Sequence, residues 1–277
     1  ARDFGRMFLG MDLQCAQCHD HLFIDDYKQA DFQGMFAFVK HTFIRRDTKF
    51  PAIGESLIKA NLEFTSVFGS DQMKTGPRLP GGAEFPVPAL KKGEKYSKPP
   101  DRKIQFPGIP KFSPLTILAK EMTKADNPAF AKNIANRLWF LMMGRGLVEP
   151  LDLHHSQNPP SHPDLLDLLT KEIVAHKFDM KWFVRELALT QTYQHSGLLP
   201  ESVENLPEAS FLVAIEKPLS AEQLLWSMLQ ATGQYNTIVV AKVGKSESAA
   251  KDGDKANADA SADSNDASVE ELLTKFR

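Results

Sequence analysis

The sequence predicts a mainly α-helical protein, with helical bundle-like domains, a long Pro/Gly-rich connection and a disordered polar insertion near the C-terminus. Apolar residues recur at helical spacing in two separated stretches, and prolines and glycines crowd the stretch between them. After Lys245 the chain has no aromatic or branched aliphatic residue until Val269. The predicted organisation is a CxxCH-containing helical segment (1–75), a linker (76–112), a helical domain (113–243), a disordered segment (244–268) and a short C-terminal helix (269–277).

The N-terminal segment carries two apolar helical patterns, from Phe4 to Leu13 and from Asp31 to Phe43. Residues 45–70 fit either a strand or a short helix. From Gly76 to Pro114 the frequent prolines fix φ and remove amide donors, so we expect a surface connection without regular structure.

Four helices are predicted in the C-terminal block. A proline early in a helix and a glycine after its end are typical boundaries, and short polar side chains cap the first turn. The second and third are joined by so short a turn that they should pack as an antiparallel pair. The predicted starts are Asn127-Pro128, Ser161 with Asp164 three positions on, Asp179, and the capping box Ser220 to Gln223; the first helix ends at Gly144 or Gly146 and the last at Gly233.

Charge and hydropathy exclude two classes of protein. The formal net charge of −2 gives no basic field for nucleic acid, so no nucleic-acid partner is expected. No stretch approaches the roughly 20 apolar residues that span a bilayer, so no membrane span is predicted in this segment. The chain opens with Ala1-Arg2-Asp3-Phe4 in an apparent helical pattern, which suggests a fragment or a processed form.

The stretch QCAQCHDH holds the only two cysteines of the chain. Cys-x-x-Cys-His suits c-type haem, because two thiols at this spacing can add to the two vinyl groups while the adjacent imidazole reaches the iron. Cys15 and Cys18 are therefore candidate haem attachment residues, with His19 as axial ligand. Aromatic residues on both sides of the motif supply the apolar surroundings that a haem needs.

The sixth iron position has no unique candidate. Methionine or histidine would close the site for electron transfer, and an open position would permit ligand binding. Spacing offers His41 and Met35, and also Met7 and Met11. His21 is too close to His19 to reach the other face of the same haem.

Other chemistry is open to the same pair of cysteines. They could form a disulfide or a redox dithiol, although the βαβ pattern that normally carries a redox dithiol is missing. They could also bind zinc, with the remaining ligands from His19 or His21 and from Asp25 or His41.

Two long stretches, FLGMDLQCAQCHDHLFIDDYKQADFQGMFAFV and DNPAFAKNIANRLWFLMMGRGLVEP with the sequence that follows to KPLSAEQLLWSMLQATGQ, resemble two linked domains of exported planctomycete proteins of unknown function. The resemblance covers residues 1–44 and 113–233. It implies a mostly helical, periplasmic or secreted protein whose haem-type motif maps onto Cys15, Cys18 and His19. It also implies that this chain is the C-terminal part of a longer protein, often fused to an N-terminal cytochrome-c-like domain, which could act as redox partner.

Two further groups have a structural and a functional interpretation. His154-His155, Asn158 and His162 flank the NPPSHP turn and could bind a metal, although the prolines favour a rigid loop. Arg137 lies in an apolar helix, where it could pair with Glu149 or Asp152 or contact a haem propionate; structural pairing is the preferred interpretation.

The first functional hypothesis is an exported c-type haem-binding protein that transfers electrons. The alternative is an extracellular helical binding or scaffold module whose CxxC pair is a disulfide or a zinc site. A hydrolase of extracellular polymers with a metal near His19, His21 and Asp25 ranks last, and no nucleophile, base and orienting acid can be recognised in the sequence.

Overall fold

The computed structural model describes residues 1–125, 127–199 and 206–234, and it divides the chain into two compact units. The first is Ala1–Ile215 and the second is Glu216–Arg277. Helices form most of the regular structure of the described residues, which confirms the mainly helical prediction. The predicted divisions at 75 and 112 fall inside the first unit.

The chain begins with a short helix that changes geometry. An α-helical turn, α1 (Arg2–Phe4), continues as a π-helix over Gly5–Leu9. Gly10 ends it with a left-handed φ of 66°. The helix predicted to reach Leu13 therefore stops at Leu9, since Met11 leaves it to form an antiparallel β-bridge with Leu153.

The second helix, α2 (Gln29–Val39), lies close to its predicted position but ends earlier. Lys40 caps it, and the chain then enters strand β1 (Thr42–Ile44), which contains part of the predicted helical stretch. Aromatic and β-branched residues at 42–44 favour a strand once a partner strand is available.

Three antiparallel hairpins occupy the middle of the chain. β1 pairs with β2 (Ile53–Glu55), and β3 (Leu62–Thr65) pairs with β4 (Gln72–Thr75), which shows that strands rather than a helix form in the undecided stretch 45–70. β5 (Tyr96–Lys98) pairs with β6 (Ile109–Pro110) in the stretch for which no regular structure was predicted, so that prediction was wrong there. A proline is compatible with β6 because the strand lies at a sheet edge.

Four helices follow in the first unit: α3 (Pro114–Met122), α4 (Pro128–Met143), α5 (Pro163–Ala175) and α6 (Met180–Ala188). The predicted boundaries of α4 are confirmed, because Asn127 precedes its first proline and Gly144 follows its end with a left-handed φ of 89°. α6 is capped as predicted, since the Asp179 side chain accepts from the Trp182 amide.

Two details of this block differ from the prediction. The N-cap of α5 is His162 instead of Ser161, because Pro163 occupies the first helical turn. α5 and α6 both pack mainly against α4, whereas an antiparallel α5–α6 pair was expected.

Three clusters of buried side chains form the core of the first unit. The largest joins α4, α5 and α6, and it includes Trp139, Ile173 and Phe183. The other two combine residues from distant parts of the chain. They consist of Leu9, Met35, Phe38, Leu118 and Met122, and of Leu13, Ala16, Tyr27 and Phe32.

The described part of the second unit contains α7 (Ala221–Ala231). Its predicted capping box is confirmed: the Ser220 hydroxyl accepts from the Gln223 amide, and the Gln223 side chain accepts from the Ser220 amide. The predicted disordered segment (244–268) and C-terminal helix (269–277) lie outside the described residues.

Candidate functional site

The two cysteines lie on a tight turn between the first helix and α2. Cys15–Gln17 form one turn of 3-10 helix, and the Cys18 amide donates to the Cys15 carbonyl at 3.3 Å. Both thiols are free and both residues are exposed, whereas the intervening Ala16 is fully buried. The turn is therefore anchored through Ala16 and presents its two sulfur atoms to solvent.

α2 fixes the position of this turn. The Gln33 side-chain amide donates to the Gln17 carbonyl at 2.8 Å, and the Gln29 backbone amide donates to the Asp20 carboxylate at 2.9 Å. A polar side chain near the start of a helix satisfies an amide that lacks a helical partner, so Asp20 stabilises the first turn of α2.

His19 has a defined tautomer. Its Nδ1 lies 2.6 Å from the Asp20 carbonyl oxygen. A carbonyl can only accept, so Nδ1 carries the hydrogen, and in the neutral ring Nε2 has a lone pair available to a metal. The imidazole packs against Phe68, with 4.7 Å between ring centroids.

His21 uses its ring nitrogen differently. Its Nδ1 accepts from the Phe23 amide at 3.1 Å and from the Ile24 amide at 3.0 Å, so the hydrogen of the neutral ring is on Nε2. The ring also packs edge-on against the buried Tyr27. His21 thus stabilises the loop, and His19 is the imidazole beside the cysteines that can act as a ligand through Nε2.

Exposed apolar side chains flank His19 on two loops. Leu22 and Phe23 follow the motif and are 65% and 80% exposed, and Val67 and Phe68 at the β3–β4 turn are 65% and 71% exposed. The Val67 amide donates to the Cys18 carbonyl at 3.0 Å, which holds the hairpin against the cysteine turn. We call these four exposed side chains the apolar rim; of them, Phe68 packs directly against His19.

Two of the candidates for the sixth iron position, Met35 and His41, lie on α2 or just after it. Met35 is 1% exposed and packs in the core cluster with Leu9 and Phe38. His41 lies beyond the C-terminal end of α2, and the helix rises about 15 Å from Gln29 to Val39. Burial lowers the pKa of His41.

A polar network lies where the N-terminal segment meets α4. The Asp152 carboxylate accepts from Arg6 Nε at 2.9 Å and from Arg137 Nη2 at 2.5 Å. Arg137 also donates to the Arg6 carbonyl at 2.8 Å, and the buried Asn133 donates to the Met7 carbonyl at 2.8 Å. The predicted pairing of Arg137 with Asp152 is confirmed, and it has a structural role.

His154 is a partly buried imidazole beside this network. Its amide donates to the Gly10 carbonyl at 2.9 Å, and its carbonyl accepts from the Tyr27 hydroxyl at 3.1 Å. Burial, with smaller contributions from the nearby charges of Arg137 and Lys132, lowers the pKa of His154 to about 4. Burial also raises the pKa of Tyr27. Both side chains are therefore neutral near pH 7.

The stretch around the NPPSHP turn also has a structural role. The Asn158 side chain donates to the Leu153 carbonyl at 2.9 Å, and the Ser156 amide and hydroxyl both donate to Asp26.

Among the residues described by the structure, no group of three or more His, Cys, Asp or Glu side chains is placed to hold a metal ion. The alternative zinc ligands are therefore not assembled in this conformation.

Sequence reasoning missed Val67 and Phe68, because their approach to the cysteine turn depends on the β3–β4 hairpin. It also missed Asn133 and Asn136, which are fully buried polar residues on α4. Asn136 exchanges two hydrogen bonds with the backbone of Val148. Two asparagines in an otherwise apolar helical pattern are a signal that could have identified them, since buried amides need partners.

Comparisons with known proteins identify the chain only at the level of families. No helix in the described parts of the chain is long and apolar enough to cross a membrane. No curated protein and no solved structure matches the chain. Residues 1–43 match the family model PSCyt2, a protein of unknown function (DUF1549). Residues 116–272 match the model PSD1, also a protein of unknown function (DUF1553), and because this match covers more than half of the sequence, the chain belongs to the DUF1553 family.

Proposed function

We propose that the chain binds one haem c covalently through Cys15 and Cys18, with His19 as the axial ligand, and that it transfers electrons. The observation that carries this proposal is the pairing of two exposed thiols with a neighbouring imidazole whose Nδ1 lies against a backbone carbonyl, which leaves Nε2 as the nitrogen available to a metal. When bound, the haem supplies one-electron redox chemistry.

The two thiols meet the chemical requirements for attachment. Each thioether forms by addition of one S–H across one vinyl group, so the proton and the sulfur both end on the former double bond and no oxidant is consumed. The buried Ala16 holds the turn while both cysteine side chains remain exposed. Attachment therefore requires no opening of the core.

The orientation of His19 also supports the proposal. A hydrogen bond from Nδ1 to a backbone carbonyl fixes the tautomer and increases the basicity of the opposite nitrogen in metal-binding histidines. The carbonyl of Asp20 provides this bond, and Phe68 packs against the ring.

A bound haem would explain why this region exposes four large apolar side chains. Leu22, Phe23, Val67 and Phe68 would cover part of a macrocycle and exclude water from it. Met35 packs in a core cluster, and His41 lies beyond the C-terminal end of α2. We therefore favour an open sixth position or a ligand from outside this segment.

A periplasmic or secreted location and a redox partner belong to the same proposal. The partner would be a second redox protein or a cytochrome-like domain in the same parent protein. Either would approach the apolar rim, since electron transfer requires the two redox centres to come close.

The test is expression of the chain in a bacterial host with haem-attachment machinery. We expect a haem absorption band that survives denaturation and a mass increase of one haem per chain. Both should be lost in the double variant Cys15→Ser/Cys18→Ser. In His19→Asn the haem spectrum should change, whereas the matched variant His21→Asn, whose side chain can still accept from the loop amides, should retain the wild-type spectrum.

The alternative proposal is a helical binding or scaffold module whose CxxC pair forms a disulfide or binds zinc. Its support is the short separation of the two exposed cysteines along the chain. A colourless protein from the same host would favour it and would contradict haem attachment. Thiol titration and metal analysis of that protein would then distinguish a disulfide from zinc thiolates.

A further inference from the structure

A cavity lies away from the cysteine turn, between the residues that follow β2 and the proline-rich segment 87–90. Its volume is about 340 Å³, within the range of small-molecule sites. Its apolar lining includes Leu57, Ile58, Leu90 and Phe112. This volume is large enough for a small organic molecule.

Hydrogen bonds connect the segments next to this cavity, so we expect the cavity to be formed before a ligand binds. The Glu55 carboxylate accepts from the Ser113 hydroxyl at 2.5 Å and from the Leu115 amide at 3.0 Å, which attaches β2 to the start of α3. The Lys111 amide donates to the Lys95 carbonyl at 3.0 Å. A preformed site loses little conformational entropy when a ligand binds.

The charged residues that line this cavity are both positive. Lys59 and Lys95 line it, and no acidic residue does. Within the part of the chain that the structure describes, neither ammonium group forms an ion pair. Two unpaired cations beside an apolar surface create a positive potential where Coulomb interactions are stronger than in bulk water.

We propose that this cavity binds a small amphipathic anion, namely a carboxylate with a medium-length apolar chain or ring. The carboxylate would lie near Lys59 and Lys95, and the apolar part would contact Leu57, Ile58, Leu90 and Phe112. This site uses none of the residues of the cysteine turn, so it is independent of haem attachment.

The first experiment is calorimetric titration of the full chain with decanoate, below the concentration at which decanoate forms micelles. Decanol and decyltrimethylammonium have a similar apolar chain without the negative charge. We expect decanoate to bind at least roughly tenfold more tightly than either, a difference of about 1.4 kcal/mol. Equal affinities for decanoate and decyltrimethylammonium would overturn the proposal.

Variants locate the binding. The double variant Lys59→Gln/Lys95→Gln should bind decanoate roughly tenfold more weakly and decanol unchanged. Lys103→Gln is the matched control, because Lys103 is exposed and does not line the cavity. Ala89→Trp, at an exposed lining residue, should block decanol and decanoate alike. Unchanged decanoate binding in the double variant, or in a folded Ala89→Trp protein, would contradict this site.

Discussion

Gly10 allows a close approach between the N-terminal segment and the helical block. Its φ of 66° lies in the left-handed region, and a Cβ at this position would lie 2.6 Å from His154 Cδ2 and 2.9 Å from Asn133 Oδ1. Both neighbours are held by other hydrogen bonds. Conformation and space therefore both require glycine here.

We predict that Gly10→Ala lowers the free energy of unfolding by about 2 kcal/mol or more, since backbone strain adds to overpacking. Urea denaturation followed by circular dichroism measures it. Gly69→Ala is the control: a Cβ added at Gly69 would meet no heavy atom within 4 Å, so this substitution should change stability little. Equal effects at the two positions would contradict the role given to Gly10.

The low pKa of His154 links stability to pH. Burial is the main cause, Arg137 and Lys132 add to it, and the negative charge of Asp152 opposes it. The folded imidazole has a pKa of about 4, below the ordinary value of 6.5. As the pH falls, the unfolded chain therefore binds this proton before the folded chain does, and the folded state loses stability.

We predict that this histidine makes the free energy of unfolding decrease by about 3 kcal/mol in total as the pH falls from about 7.5 to about 3, with the steepest decrease between the two pKa values of 6.5 and about 4. Urea denaturation at several pH values measures the slope. His154→Gln should have a shallower slope over this interval than the wild-type chain. An unchanged slope in His154→Gln would refute the assignment.

Asp152 joins two helices that are far apart in the sequence. Its side chain is 23% exposed and pairs with Arg6 from the N-terminal helix and with Arg137 from α4. Arg137 in turn binds the Arg6 carbonyl, so the two arginines and the carboxylate depend on one another. Removing the carboxylate leaves two partly buried cations without their shared partner.

Asp152→Asn should lower the free energy of unfolding by about 2 kcal/mol, because the amide keeps the shape but loses the charge. Thermal and urea unfolding measure the loss. The matched control is Asp3→Asn, whose carboxylate is 80% exposed and pairs with Arg2; it should change stability by less than about 0.5 kcal/mol. A loss in Asp152→Asn no larger than in the control would show that the network is dispensable.

Elements with local signals were predicted best. α4 was predicted at both ends because Pro128 and Gly144 act on their own neighbours, and the Ser220 capping box is likewise local. The first helix was predicted too long, because a β-bridge from Met11 to Leu153 competes with the local helical pattern. Met11 and Leu153 are far apart in the sequence, so a local sequence pattern cannot reveal that they pair.

In the candidate site too, features that depend on local sequence were predicted, and features that depend on tertiary contacts were not. Cys15, Cys18 and His19 were selected as candidates from their spacing alone, which is local. Met35, a candidate ligand by its spacing, packs in a core cluster with residues from distant parts of the chain. Phe68 reaches His19 through a hairpin about fifty residues later, and that contact depends on tertiary structure.

The two family matches share one hydrophobic core. Leu9, Met35 and Phe38 come from the DUF1549 match, and Leu118 and Met122 come from the DUF1553 match; together they form one buried cluster. The Ala1–Ile215 unit therefore crosses the boundary between the two families. The intervening stretch takes part as well, because Arg78 pairs with the buried Asp31 and Phe85 packs against Phe38.

A chain of residues 113–277 alone should therefore fail to form the native packing of α3 and α4. Leu118 and Met122 are 2% and 3% exposed and pack in one cluster with residues of the N-terminal segment, and uncovering each costs about 2 kcal/mol. Asn133, which is fully buried, would lose the Met7 carbonyl as its acceptor. We expect weak near-ultraviolet circular dichroism and no cooperative urea transition in this shortened chain, whereas residues 1–215 should unfold in a single transition. A shortened chain with the same sharp transition midpoint as residues 1–215 would mean that the two families fold separately and that their shared core contributes little to stability.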